Sequence, residues 1–151
     1  MSSTPIQQAA DHLFRHESGK MIAVLSRLLG LEHLDKAEDI VQDTLLQALN
    51  TWSYKGVPEN AAAWLYRVAK NKAIDIIRRD KNFRNIRSEY GYLLESEYTL
   101  TPTVHNIFQD EEIEDSQLRM IFACCHQAPA LVLGNYLYRI TSLVLLSCQV
   151  K

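Results

Sequence analysis

Glycine and proline are scarce here, with five and four residues in a chain of 151. So few chain-breaking residues leave little room for a turn-rich β architecture and favour long helices. Cysteine is scarcer still: Cys124, Cys125 and Cys148 are an odd, sparse set. Such a set excludes a disulfide framework, and reduced thiols in a cytoplasmic protein are the simpler reading. The opening residues, Met1 to Gln8, hold no basic stretch followed by an apolar run, so no signal peptide is read there. The apolar stretch Leu131 to Val150 is broken by Gly134, Asn135, Arg139 and Gln149, which excludes a membrane span as its reading. Metal and catalytic sets are also lacking. Cys124, Cys125 and His126 are adjacent, a poor spacing for structural zinc, and His12 and His16 have no further ligand near them in sequence. No nucleophile–base pair stands out, so no catalytic residue, metal or cofactor is expected and the chain is not read as an enzyme.

Apolar residues make up 47% of the chain, enough for a packed core. A first helix is predicted from near Thr4, with Pro5 in its first turn and Gly30 as its stop. Its apolar positions are Ala10, Leu13, Phe14, Met21, Val24, Leu25, Leu28 and Leu29. A second helix is predicted from about Asp35 to Trp52, with Asp35 and Glu38 as a capping-box pair. The stretch Ser53 to Glu59 contains Gly56 and Pro58 and reads as a loop, with Trp52 and Trp64 flanking it as core anchors. Asn60 is placed to cap a third helix that continues to about Arg84. The stretch Thr99 to His105 holds Pro102 and reads as a linker, with a short helix resuming near Asp115 and running to about Cys125.

The net charge of −2 argues weakly against nucleic acid, but its distribution reverses that argument. Between Leu65 and Ser88 lie Arg67, Lys70, Lys72, Arg78, Arg79, Lys81, Arg84 and Arg87, opposed only by Asp75 and Asp80, for a net of +6. Between Glu89 and Asp115 the acids total eight with no Lys or Arg among them, for a net of −8. On the second helix, Leu34, Ala37, Val41, Leu45, Ala48 and Trp52 share a face suited to a core. Asp39, Gln42, Asp43 and Leu46 fall opposite. A solvated acidic face is the ordinary reading of such residues, but a leucine at its centre makes it a docking patch for a basic partner helix. On the third helix, Leu65, Val68, Ala69, Ala73 and Ile76 form the expected buried stripe. Arg67, Asn71, Ile74 and Arg78 line another face, where the basic groups suit phosphates and Asn71 can both donate to and accept from a base edge. Asp75, four residues before Arg79, reads as a helix-stabilising ion pair.

These two helices resemble region two of the extracytoplasmic-function group of bacterial sigma factors. The resemblance rests on Ala37-Glu-Asp-Ile-Val-Gln-Asp-Thr-Leu-Leu46 and on Ala63-Trp-Leu-Tyr-Arg-Val-Ala-Lys-Asn-Lys-Ala-Ile-Asp-Ile-Ile-Arg-Arg79, in that order with a loop between. It covers about residues 10 to 90. Gln117 to His126 also resembles one subgroup at the start of its second domain. The resemblance implies an all-α, three- to four-helix bundle over residues 1–90, an acidic linker over 91–113 and a short helical tail over 114–151.

It further implies a transcription initiation factor. Asp39, Gln42, Asp43 and Leu46 would meet the β′ clamp helices of RNA polymerase core. Arg67, Asn71, Lys72, Arg78, Arg79, Lys81 and Arg84 would hold the melted non-template strand of the promoter minus-ten element. An anti-sigma factor is a further expected partner, and a membrane is not. Residues 114–151 read as a truncated or aberrant start of the second domain, because Gln127 to Lys151 hold no basic recognition helix. The alternative is a truncated sigma mimic, an interaction module that occupies polymerase without promoter activity.

Overall fold

A computed structural model describes residues 5–79 and 90–126 of the chain. Among these residues there is no strand. The elements in order are α1 (Pro5–Leu29), a single 3-10 turn (Leu31–His33), α2 (Leu34–Lys55), α3 (Ala61–Arg79), α4 (Gly91–Glu95), α5 (Glu97–Ile107) and α6 (Asp110–His126). The all-α class expected from the sequence is the class observed.

The second half of α1 is the axis of the fold. Met21, Ile22, Ala23, Val24, Leu25 and Ser26 are buried in succession. A helix apolar on one stripe buries only that stripe, so burial all round means neighbours on every side. Here α2, α3, α5 and α6 all pack on α1. Gly30, with φ at 93°, ends α1 in a conformation that a side chain resists, and the chain turns directly into α2.

Helix α2 buries Leu34, Ala37, Ile40, Val41, Thr44, Leu45, Ala48 and Trp52, which includes the whole face expected of it. Its ends differ from expectation. The helix starts one residue before Asp35, with His33 as N-cap and no capping bond from that side chain, so Asp35 lies inside the first turn. There its carboxylate still faces the positive end of the helix dipole. The helix also runs on to Lys55, because nothing breaks it before Gly56 (φ 79°), whose N–H bonds the Trp52 carbonyl at 2.9 Å.

Helix α3 is capped as expected: the Asn60 side-chain oxygen accepts from the Ala63 N–H at 2.9 Å. Its buried residues are Leu65, Ala69, Ala73, Ile74 and Ile77. Val68 and Ile76, expected inside, are only partly buried. Ile74, expected on the outer face, is 6% exposed. The inward stripe is therefore rotated toward Ile74, for a reason that lies in α5. In α1, Leu13 is partly buried and Phe14 is 42% exposed, so the expected core thins toward the N-terminus.

The largest correction concerns the stretch expected as a linker. Leu100, Val104 and Ile107 are buried at spacings of four and three, the period of an amphipathic helix. Pro102 sits inside α5. Proline removes one N–H from the ladder, opposite Tyr98 four residues before it, which is 89% exposed, so the interruption falls on the solvent side of the helix. Helix α6 begins at Asp110 rather than Asp115, with Asp110, Glu111 and Glu112 in its first turn complementing the dipole. The continuation of α3 to Arg84 and the tail 127–151 lie outside the described residues.

Candidate functional site

Two adjacent helices present outer faces of opposite charge. On α2, Asp39, Gln42, Asp43 and Leu46 are all exposed, Leu46 at 58%. They span about 100° of the helix surface. Beside them a groove between α1 and α2 is lined by Ala10, Phe14, Leu45 and Leu49, with Gln7 and Asp11 at its rim. Phe14 thus belongs with the surface beside Leu46 rather than with the core.

On α3, Arg67, Asn71, Arg78 and Arg79 are exposed. Arg67, Asn71 and Arg78 fall within about 40° of one another around the helix. Lys72 is half-buried on a different flank. Lys81 and Arg84 lie outside the described residues. At the corner between the two helices, Tyr54 is 92% exposed and Val57 41%. The Tyr54 ring is uncovered near the end of α2, a feature that reading for charge and periodicity overlooks.

The row Lys70, Ile74, Arg78 runs along one edge of the α3 face at intervals of four. Lys70 Nζ lies 3.2 Å from His105 Nδ1, and Arg78 donates to the Thr101 hydroxyl at 3.5 Å. Thr101 and His105 are themselves four apart on α5, so α5 lies antiparallel along this row with Ile74 between the two contacts. Sequence periodicity could not reveal this, because the covering residues come from the segment read as a linker.

Arg27, in the last turn of α1, was not among the sequence-derived candidates. Its guanidinium lies 2.7 Å from Glu112 and 3.2 Å from Asp115, donates to Ser116 at 3.3 Å, and sits 5.4 Å from the centre of the Tyr90 ring. Its side chain is 11% exposed. The available signal was its isolation: the one charge in a run from Met21 to Leu29 that is apolar apart from Ser26 requires a partner. Tyr66 on α3 donates to Glu17 at 2.8 Å. Burial first, and the Glu17 charge second, push the Tyr66 phenol far above its ordinary range. The phenol therefore stays neutral and serves as a strut between α1 and α3. His12 and His16 stack at 4.3 Å, but among the described residues no group of three potential ligands gathers to hold a metal. Among the same residues no helix is long and apolar enough to cross a membrane.

The class these features define is a helical domain with an acidic, leucine-centred face on one helix and a basic, asparagine-bearing face on the next. Residues 13–83, just under half of the chain, match the profile of sigma-70 region 2. The chain is also 30% identical over 96 residues, or 64% of its length, to an uncharacterized protein of Rhizobium meliloti (strain 1021). It spans 22% of the length of that relative. No solved structure matches the chain.

Proposed function

We propose that the chain is a transcription initiation factor that binds RNA polymerase core and recognises and melts the promoter minus-ten element through its non-template strand. The observation that carries this reading is the pair of outer faces within the sigma-70 region 2 segment: Asp39, Gln42, Asp43 and Leu46 on α2, and Arg67, Asn71, Arg78 and Arg79 on α3. The acidic face suits the basic side of the β′ clamp helices, with Leu46 as its apolar centre. The arginines supply phosphate contacts that carry affinity, and Asn71 supplies the base-edge contact that carries preference. Lys72, Lys81 and Arg84 are further cations assigned to the strand from the sequence alone. No bond is made or broken in this role, so it needs no catalytic group.

The test is reconstitution with polymerase core and a pre-melted promoter fragment. Reversing Asp39 and Asp43 to Lys is expected to abolish co-purification with core while leaving the helical spectrum intact. Unchanged co-purification would rule out the α2 face. Arg78→Ala is expected to weaken binding to all sequences alike and to flatten its salt dependence. Asn71→Ala is expected to blur base preference at one position by roughly 1–3 kcal/mol. A second reading, a mimic that occupies polymerase without promoter activity, is favoured by one observation: Lys70 and Arg78 are already engaged by α5. Binding of core with no binding of the melted strand would select it.

A further inference from the structure

The first half of α1 is the thinly packed end of that helix. Leu13 is only partly buried and Phe14 is exposed, whereas Met21 to Ser26 are buried in succession. On this stretch His12 and His16 stand four residues apart, about one turn, so their side chains rise from the same flank. His12 is exposed and His16 half-buried, so solvent reaches both. The two rings lie with centres 4.3 Å apart and planes tilted by 38°. The next residue along this flank, Lys20, has its ammonium 3.5 Å from the Glu17 carboxylate, which offsets its charge beside the rings.

We propose that His12 and His16 form an open, two-imidazole site for a late divalent transition metal such as zinc or nickel. The sequence offers no third ligand beside them, but two imidazoles one turn apart on a helix face are a chelate by themselves. Zinc binds imidazole nitrogen at about 2.0–2.1 Å, which sets two such nitrogens about 3.3 Å apart at a tetrahedral centre. The observed ring separation meets that bite after a small turn of either side chain. Water fills the remaining positions. Imidazole selects zinc, copper or nickel over magnesium and calcium, which take oxygen ligands. A metal held here ties two successive turns of α1 together where packing contributes least. It therefore orders the stretch that carries Ala10 and Phe14, one wall of the groove against α2. The pair lies outside both faces assigned to polymerase and DNA, and its metal binding stands whether or not those roles hold.

The probe is Zn2+ alone, added to the full chain with Cys124, Cys125 and Cys148 replaced by Ser so that thiols do not take the metal. Calorimetry is expected to show a single saturable site per chain. Hydrogen exchange is expected to slow several-fold at the amides of residues 8–17 and to stay unchanged in α3. His12→Gln and His16→Gln are each expected to weaken binding by roughly a hundredfold, because a chelate that loses one arm loses the high effective concentration of the second. Glutamine is a good helix former, and the helical spectrum checks that α1 survives. His33→Gln, on the 3-10 turn, is expected to leave binding unchanged. A spacing control keeps two imidazoles and parts them: Asp11→His with His12→Gln sets them five residues apart, about 140° around the helix. It is expected to bind as weakly as the single variants. Binding that is the same with and without His12, or a spacing control that binds as well as the parent, would overturn the chelate. Binding that leaves exchange at residues 8–17 unchanged would overturn its part in ordering α1.

Discussion

Helices α2 and α3 are neighbours with outer faces of opposite charge and inner faces of similar build. Helix α2 buries two alanines, Ala37 and Ala48, beside Leu34, Ile40, Leu45 and Trp52, and exposes acids around a leucine. Helix α3 buries two alanines, Ala69 and Ala73, beside Leu65, Ile74 and Ile77, and exposes arginines around an asparagine. The difference inside is size at one place: α2 carries a tryptophan where α3 carries nothing larger than leucine or isoleucine. Shrinking that tryptophan and enlarging a buried alanine should therefore be the damaging changes.

The largest expected effect is on α2. Trp52 is 1% exposed and lies against Trp64 with ring centres 5.5 Å apart. Trp52→Ala is expected to cost about 3–5 kcal/mol, read as a fall in the denaturant midpoint. On α3 the damaging change runs the other way: Ala69→Leu is expected to cost about 1–3 kcal/mol through overpacking, because Ala69 is fully buried. If Ala69→Leu were neutral and Trp52→Ala mild, the close packing of both inner faces would be refuted.

A smaller effect separates how the two helices begin. Asn60 caps α3 with its side chain, and His33 makes no such bond at α2. Asn60→Ala is expected to cost about 1 kcal/mol and His33→Ala a few tenths, both by thermal melts at constant pH. The subtlest test uses alkali. The Tyr66 phenol is pushed above its ordinary value of 10.0 in the folded chain, while the unfolded chain keeps that value. The unfolded state therefore releases its proton first. The contribution of Tyr66 is whole below pH 10.0 and declines as pH rises above it. Tyr66→Phe should remove that part of the alkaline decline, measured as the slope of melting temperature against pH.

The same pair of helices shows what sequence can convey. Every inward residue expected on α2 is inward, and all four residues expected on its outer face are exposed. Its partners lie on α1 and α3, within the segment whose periodicity is strongest. Helix α3 was legible only in part. Arg67, Asn71, Arg78 and Arg79 are exposed as expected, but Ile74 is not. What covers Ile74 comes from beyond residue 90, where Pro102 and a run of acids masked the period of Leu100, Val104 and Ile107. Arg27 escaped notice for a related reason: its partners, Glu112 and Asp115, stand more than 80 positions away. A sequence reveals what a helix wants to bury more readily than which distant segment obliges it.

Pro102 has one more effect, on the kinetics of exchange with solvent. The amide ladder of α5 lacks a rung at its centre, so the turn before Pro102 and the turn after it are joined by one bond fewer than an ordinary helix of eleven residues. A helix this short has little cooperativity of its own and borrows order from its packing. Amide protons on α5 should therefore trade with deuterium well before those of α1 and α3. One missing N–H thereby sets α5 to open before the two longer helices it packs on.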